Sequence, residues 1–172
     1  MKRIPSSSGT SDVGEALVDA GVRILPENRL WRGGSIIENP SVVEGKALII
    51  GLRSESEAGM VSTPYWHHPF PKHRRKYDLR TDDVRVWLLR GVERIHCAPT
   101  PVLVHCAHGV DRTGMLVGAY LLAIGAPHTA IVSEYSRHPG ARPEVFEEFM
   151  HQLRDGPIAA QLKLCVVASH EG

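Results

Sequence analysis

Cysteine is scarce in this chain: only Cys97, Cys106 and Cys165 occur among 172 residues, and no two of them form a CxxC pair. So small a set offers neither an even-numbered disulfide framework nor a paired-thiol metal site, and a reducing compartment is expected. The N-terminus has no signal-peptide pattern, and no apolar run approaches the length of a membrane span. A surplus of charge is also missing. Lys and Arg number 20 against 19 Asp and Glu, a net +1, so nothing pulls the whole chain toward nucleic acid or a membrane surface. These absences make a cytoplasmic location the expectation. What remains is a globular balance, 42% hydrophobic with 23% charged, in a length that suits one domain over residues 1–172.

Local patterns divide that length into alternating elements. Residues 1–12 are rich in Ser, with Pro and Gly, and are expected to form a flexible arm. Asp12 is placed to cap a short helix reaching Ala20, which Gly21 closes. Arg29–Gly34 reads as a strand entering a glycine turn, Ala47–Arg53 as a strong strand, and Tyr65–Phe70 as a weaker one ended by Pro69 and Pro71. From Thr81 the period becomes helical, with Val84, Trp87, Leu88, Val92 and Ile95 on one face. Further helices are expected up to Gly125, over His128–Arg137 and over Pro143–Arg154. In the last of these, Val145, Phe146, Phe149, Met150 and Leu153 make an apolar stripe that reads as core. Leu162–Val167 suits a strand or a helix equally. Together these elements predict an α/β fold, a central mostly parallel sheet flanked by helices.

The chemistry concentrates in residues 101–114, Pro-Val-Leu-Val-His-Cys-Ala-His-Gly-Val-Asp-Arg-Thr-Gly. A short Val/Leu run bounded by Pro101 is a strand buried on both faces, and the chain then turns at Cys106 into an apolar helix from about Arg112. Gly109 admits a left-handed turn or a close backbone approach. Such a turn aims several backbone N–H groups and the positive end of a helix at one point above Cys106. The same features lower a thiol's pKa toward the nucleophilic thiolate, helped by a nearby hydroxyl such as Thr113. Arg112, with five residues between it and Cys106, can curl over the same point and grip two oxygens of a phosphoryl group. A buried cysteine at a strand end is ordinarily inert packing, and Cys97 and Cys165 are read that way. Gly109, Arg112, Thr113 and Gly114 in register argue against that reading for Cys106. A rhodanese-like sulfur carrier also places a cysteine after a strand, but leaves Arg-Thr-Gly unexplained.

His105-Cys106-x5-Arg112-Thr113-Gly114 resembles the HCxxGxxRTG signature of the cysteine-dependent protein tyrosine phosphatase superfamily. Leu30-Trp-Arg-Gly-Gly34 and Leu52-Arg-Ser-Glu-Ser-Glu57 are similar to stretches of its compact, dual-specificity-like members, so the resemblance covers roughly residues 29–150. It implies a phosphatase acting on phosphotyrosine, and on phosphoserine or phosphothreonine, in proteins. Cys106 would attack phosphorus and form a phosphocysteine. The backbone of Ala107, His108, Gly109, Val110, Asp111 and Arg112, with the Arg112 side chain, would bind the phosphate. Thr113 would stabilise the departing thiolate and His105 would orient the loop. No metal or other cofactor is implied. His67, His68, His73, His105 and His108 lack a zinc-ligand spacing, and a cation on Cys106 would quench the nucleophile.

The family pattern breaks at the acid that protonates the leaving oxygen. The stretch expected to carry it, residues 68–83, has no acidic residue in its first half. Asp82 and Asp83 are explained as first-turn helix residues, so Asp78 comes first. Asp111 is its rival, because myotubularin-type lipid phosphatases carry an Asp at that place (CxxGxDR). His73 is a third candidate. The basic run Lys72-His-Arg-Arg-Lys76 on the same stretch suits a solvated loop tip, or a substrate more anionic than phosphotyrosine. A phosphoinositide or an RNA 5′ end of the same superfamily's repertoire is therefore an alternative, as is a phosphate-binding module without turnover. The DRTG ending resembles bacterial enzymes that accept phosphotyrosine and phosphoinositides, whereas Ala107 and Val110 stand where lipid-directed members often have lysines.

Overall fold

A computed structural model describes residues 9–167. Five strands form one sheet: β1 (Thr10–Asp12), β2 (Leu30–Gly33), β3 (Leu48–Gly51), β4 (Tyr65–His67) and β5 (Val102–His105), in the order β1-β2-β5-β3-β4. All neighbours run parallel except β1, which pairs antiparallel with β2. Six helices complete the fold: α1 (Val13–Asp19), α2 (Asp82–Cys97), α3 (Asp111–Ala123), α4 (His128–Ser136), α5 (Pro143–Asp155) and α6 (Ile158–Val167).

Strand period 2 divides the buried residues between two cores. Leu30, Leu48, Ile50, Val102 and Val104 enter the large core shared with the helices, whereas Ile49 and Leu103 join Ile36 in a small cluster on the opposite face. That second face is covered only by short segments, with Val42, Val43, Val61 and Tyr65 packed against it. The strand before the Cys106 turn is therefore buried on both faces, as its unbroken apolar run predicts.

α3 leaves the Cys106 turn and passes through the middle of the helical layer, touching α2, α4, α5 and α6. Nearly all of it is buried, which accounts for an apolar sequence without a polar face. At Gly118 a Cβ would sit 2.9 Å from the Phe146 ring and 3.0 Å from Met150 Sδ, so the missing side chain lets α5 close on α3. The undecided C-terminal stretch is helical: Ile158, Leu162 and Val166 recur every four residues and bury one side of α6, which packs against α2 and α3.

The expected arm ends earlier than residue 12. Thr10–Asp12 pair with Trp31–Gly33, because an edge strand there gives the polar backbone hydrogen-bond partners; residues 1–8 lie outside the described residues. Asp12 also does more than cap. Its carboxylate accepts the Gly14 N–H at 2.9 Å and the Glu15 N–H at 3.3 Å, and in addition the N–H of Asn28 at 2.5 Å. Asn28 stands in a left-handed conformation (φ 60°) just before β2, so one buried carboxylate joins the start of α1 to the entry of the strand. Asp12→Ala is expected to cost about 2 kcal/mol, at the upper end for a cap, while Asp12→Asn recovers only the cap, because its amide NH2 cannot accept the Asn28 N–H. Urea unfolding of the three proteins measures this.

Candidate active site

β5 ends at His105, residues 106–110 form the turn, and α3 begins at Asp111. Gly109 has φ +72°, and a Cβ on it would lie 2.5 Å from the Gly33 carbonyl carbon, so both the turn and the approach of β2 require glycine. The turn's carbonyls face away from Cys106. Ala107 O accepts the Ser35 N–H at 3.0 Å, and Gly109 O accepts Arg32 Nη2 at 2.8 Å. Among the described residues the N–H groups of Ala107, His108, Gly109 and Val110 meet no backbone acceptor. With the carbonyls held outward, these donors are left to face the sulfur, the arrangement of an anion-binding nest.

Cys106 is 2% exposed. Burial pushes its thiol up, but the Thr113 hydroxyl, the Thr113 N–H, the Arg112 charge and the Gly109 N–H outweigh that and bring it below the ordinary value. Arg112 Nε is buried without an acceptor among the described residues, so the guanidinium fork is available to an incoming anion. One protein loop thus holds a thiol drawn below its ordinary value, a ring of N–H donors and an unengaged cation.

Arg32 supports that loop from below. It is 1% exposed, pairs through Nη1 with Glu134 at 2.8 Å, and donates through Nη2 to Gly109 O and, at 3.4 Å, to Val110 O. A second buried network holds His105. Its Nε2 is 3.1 Å from the Tyr65 hydroxyl and its Nδ1 is 3.4 Å from Glu57 Oε2. Glu57 in turn accepts the Ser35 hydroxyl at 2.8 Å, the Ile36 N–H at 3.3 Å and the Arg53 guanidinium. Burial lowers His105, favouring the neutral ring even though the Glu57 charge opposes this.

The two acid candidates occupy different settings. Asp111 sits in the loop, where Oδ1 accepts the Tyr77 hydroxyl at 2.7 Å and Arg142 Nη2 at 3.1 Å, and Oδ2 accepts Lys76 Nζ at 3.2 Å. Burial raises its carboxyl, but these three donors outweigh burial and leave it low. Tyr77 itself is buried, has φ +64° and touches the Tyr135 hydroxyl at 2.9 Å; burial pushes it far above the ordinary phenol, so it stays a donor. Asp78 faces Arg80 instead, taking its N–H at 3.0 Å and its Nη2 at 2.7 Å, and that guanidinium holds the carboxyl well below the usual range. His73 is exposed with φ +62°. Of the basic run, Lys76 is engaged with Asp111 and Arg74 with Asp83, at 2.7 Å.

The histidines flanking this stretch have local partners. His67 Nε2 lies 2.8 Å from the Arg53 carbonyl, and His68 stacks between Trp66 and Trp87 with Nε2 at 2.8 Å from the Trp87 carbonyl. Arg32, Glu134, Tyr65, Tyr77, Tyr135 and Arg142 escaped sequence reading. Arg32 alone carried a readable sign, since it shares a strand face with Leu30 and a core-facing charge demands a partner.

Burial pushes the Glu134 carboxyl up, yet the Arg32 charge and His138 hold it below its ordinary value. A depressed carboxyl contributes stability above its unfolded value and loses it as pH falls through the folded one. Glu134→Gln, which leaves Arg32 unpaired, is expected to cost about 3 kcal/mol at neutral pH, with the deficit shrinking in acid. Denaturant titrations across pH test this.

A beside-the-loop cleft of about 350 Å³ is lined by Ser35, Ile37, Glu38, Arg53, Ala107 and His108. Comparison with known proteins agrees with the geometry. The curated triple specificity protein phosphatase PtpB of Mycobacterium tuberculosis is 34% identical over 77 residues, which are 43% of this chain and span only 28% of that protein's length. The crystal structure of TpbA from P. aeruginosa superposes with a TM-score of 0.63 at 16% identity, over 95% of this chain and 99% of that one. The core catalytic domain of the PP-IP phosphatase SIW14 from S. cerevisiae gives 0.57 at 22% identity, over 76% and 84%. These likenesses show a shared fold. The model of the tyrosine phosphatase family matches residues 47–168, well over half of the sequence and including the whole Cys106–Gly114 loop, so this chain belongs to that family.

Proposed function

We propose that this protein hydrolyses phosphomonoesters, phosphotyrosine in proteins first, through a phosphocysteine intermediate. The observation that carries the reading is the geometry of one turn: Cys106 lies buried where β5 ends, and the guanidinium of Arg112, whose Nε has no acceptor among the described residues, follows at the start of α3. The thiolate attacks phosphorus, the ester P–O bond breaks, and the leaving oxygen takes a proton from an acid. Water then attacks the phosphocysteine, gives its proton to the same group and releases the thiolate, which the Thr113 hydroxyl stabilises. Arg112 and the N–H groups of residues 107–112 hold the equatorial oxygens, where transition-state charge gathers. His105, held by Tyr65 and Glu57, orients the loop.

We assign the acid to Asp111 and give Asp78 the shaping of its own turn. Asp78 accepts both the backbone and the side chain of Arg80, as a turn-forming Asp does. Asp111 lies within the loop and is held by donors that can turn to a bound phosphate. A phosphate dianion beside that carboxylate disfavours its charged form and returns the proton the reaction needs. The cleft beside Ala107 and His108, with Ile37 51% exposed on its wall, suits the ring of a phosphotyrosine. Among the described residues no helix is long and apolar enough to cross a membrane. We place the enzyme in the cytoplasm as one domain, supported by a sequence with only three cysteines and no CxxC pair. Lys72 and Arg75, both exposed, support a second reading in which a phosphoinositide is also accepted.

Cys106→Ser is expected to abolish release of p-nitrophenol from p-nitrophenyl phosphate at mildly acidic pH; equal rates from both proteins would overturn the proposal, and tight phospholigand binding without turnover would favour a binding module. The low Asp111 carboxyl must be protonated and the low Cys106 thiol ionised, so kcat/KM is expected to be highest on the acidic side of neutrality. Asp111→Asn should lower kcat on phosphotyrosine by about 10²–10⁴ and remove the alkaline limb, with a smaller loss on p-nitrophenyl phosphate, whose leaving group needs less protonation. Asp78→Ala should leave the pH profile unchanged; the reverse pair of results would return the acid to Asp78.

A further inference from the structure

A second group of chemically capable side chains lies between α4 and α5, where the phosphatase reading assigns no role. Glu147 and His151 are one helical turn apart on α5, so their side chains share a face. His128, the first residue of α4, meets them from the neighbouring helix. One ligand atom from each of the three lies within 4.8 Å of the other two. The imidazoles of His128 and His151 are in ring contact, 4.7 Å between centroids and tilted by 33°. His128 Nε2 is buried and makes no hydrogen bond among the described residues, although Glu147 Oε1 is only 3.5 Å away. Two imidazoles in contact, one with a buried nitrogen that no hydrogen bond uses, stand beside a shared carboxylate and make up a donor set with no role in the phosphatase reading.

We propose that His128, Glu147 and His151 form a binding site for a divalent transition metal ion of the zinc type. Two imidazole nitrogens and one carboxylate oxygen are the donor set that zinc accepts with three protein ligands and a water, and imidazole disfavours the hard cations calcium and magnesium. Tetrahedral bonds of about 2.0–2.1 Å draw the donors closer than they now stand. Glu147, 49% exposed, has the freedom to swing in. Arg154 Nη2 rests 2.8 Å from His151 Nδ1 and must turn away; it already holds Asp155 through Nε at 3.0 Å. Asp155 lies one turn beyond His151 and remains available to that guanidinium. An ion here ties the start of α4 to the middle of α5, the pair of helices that present Tyr135 and Arg142 to the active-site loop. The site stands independently of the phosphatase reading.

The test is calorimetric titration of zinc chloride into the full chain carrying Cys106→Ser, which removes the reactive thiolate as a competing ligand. One equivalent is expected to bind and to raise the thermal midpoint. His151→Ala and His128→Ala should each weaken binding at least about tenfold, and Glu147→Gln about tenfold, since a lost ligand costs no less than a lost supporting partner. Cobalt should give the visible absorption of a tetrahedral nitrogen–oxygen site, absent from the double histidine variant. Circular dichroism establishes that each variant folds; should His128→Ala fail to fold, His151→Ala decides alone. No binding, or binding whose affinity His151→Ala leaves unchanged, overturns the proposal.

Discussion

The active-site loop rests on one buried guanidinium. Arg32 reaches across from β2, takes Glu134 of α4 as its counter-ion, and spends its remaining fork on the carbonyls of Gly109 and Val110. Burying two charges is repaid only when both are paired and hydrogen-bonded, so such a pair is weak evidence for stability in itself. Its effect here is directional. A carbonyl held from behind cannot turn toward the sulfur, and the peptide planes of the loop must then present their N–H groups. An apolar pair of the same volume could fill the space but could not impose that orientation.

Each acidic group of the loop is surrounded by donors and positive charge. At the centre is a thiol that burial alone would hold protonated, drawn toward its ionised form by Thr113, Arg112 and the Gly109 N–H. At the rim is a carboxylate, Asp111, surrounded by Lys76, Arg142 and the Tyr77 hydroxyl. Those cations are close enough to serve either the carboxylate or an arriving phosphate. The basic run on residues 72–76 therefore is more than a solvated tip: one member borders the site, one is tied to α2 through Asp83, and the rest face solvent.

Local patterns carried a large part of the fold. The apolar runs of β3 and β5, the Asp12 cap and most of the α5 stripe are each written within a few residues and took the expected form; Val145 alone of that stripe is exposed, because no neighbouring element covers its side of α5. Failures came where neighbours far along the chain decide. Thr10–Asp12 read as a loose arm because nothing local reveals that β2 has a free edge. The last helix could not be told from a strand, because its apolar residues satisfy both periods until α2 and α3 supply a surface for one of them.

The site divides along the same line. Spacing alone brings a cysteine, a glycine turn, an arginine and a helix start within nine residues, Cys106 to Gly114, since their mutual placement follows from chain connectivity. Only the tertiary structure decided what holds them. Arg32 and Glu134 are 102 residues apart, and Tyr77 and Tyr135 are 58 apart. Sequence put Asp78 ahead of Asp111 as the candidate acid, and could not show that Arg80 stands on one while Tyr77, Lys76 and Arg142 surround the other. A carboxylate's chemistry depends on which donors surround it, and no local pattern specifies partners brought together by folding.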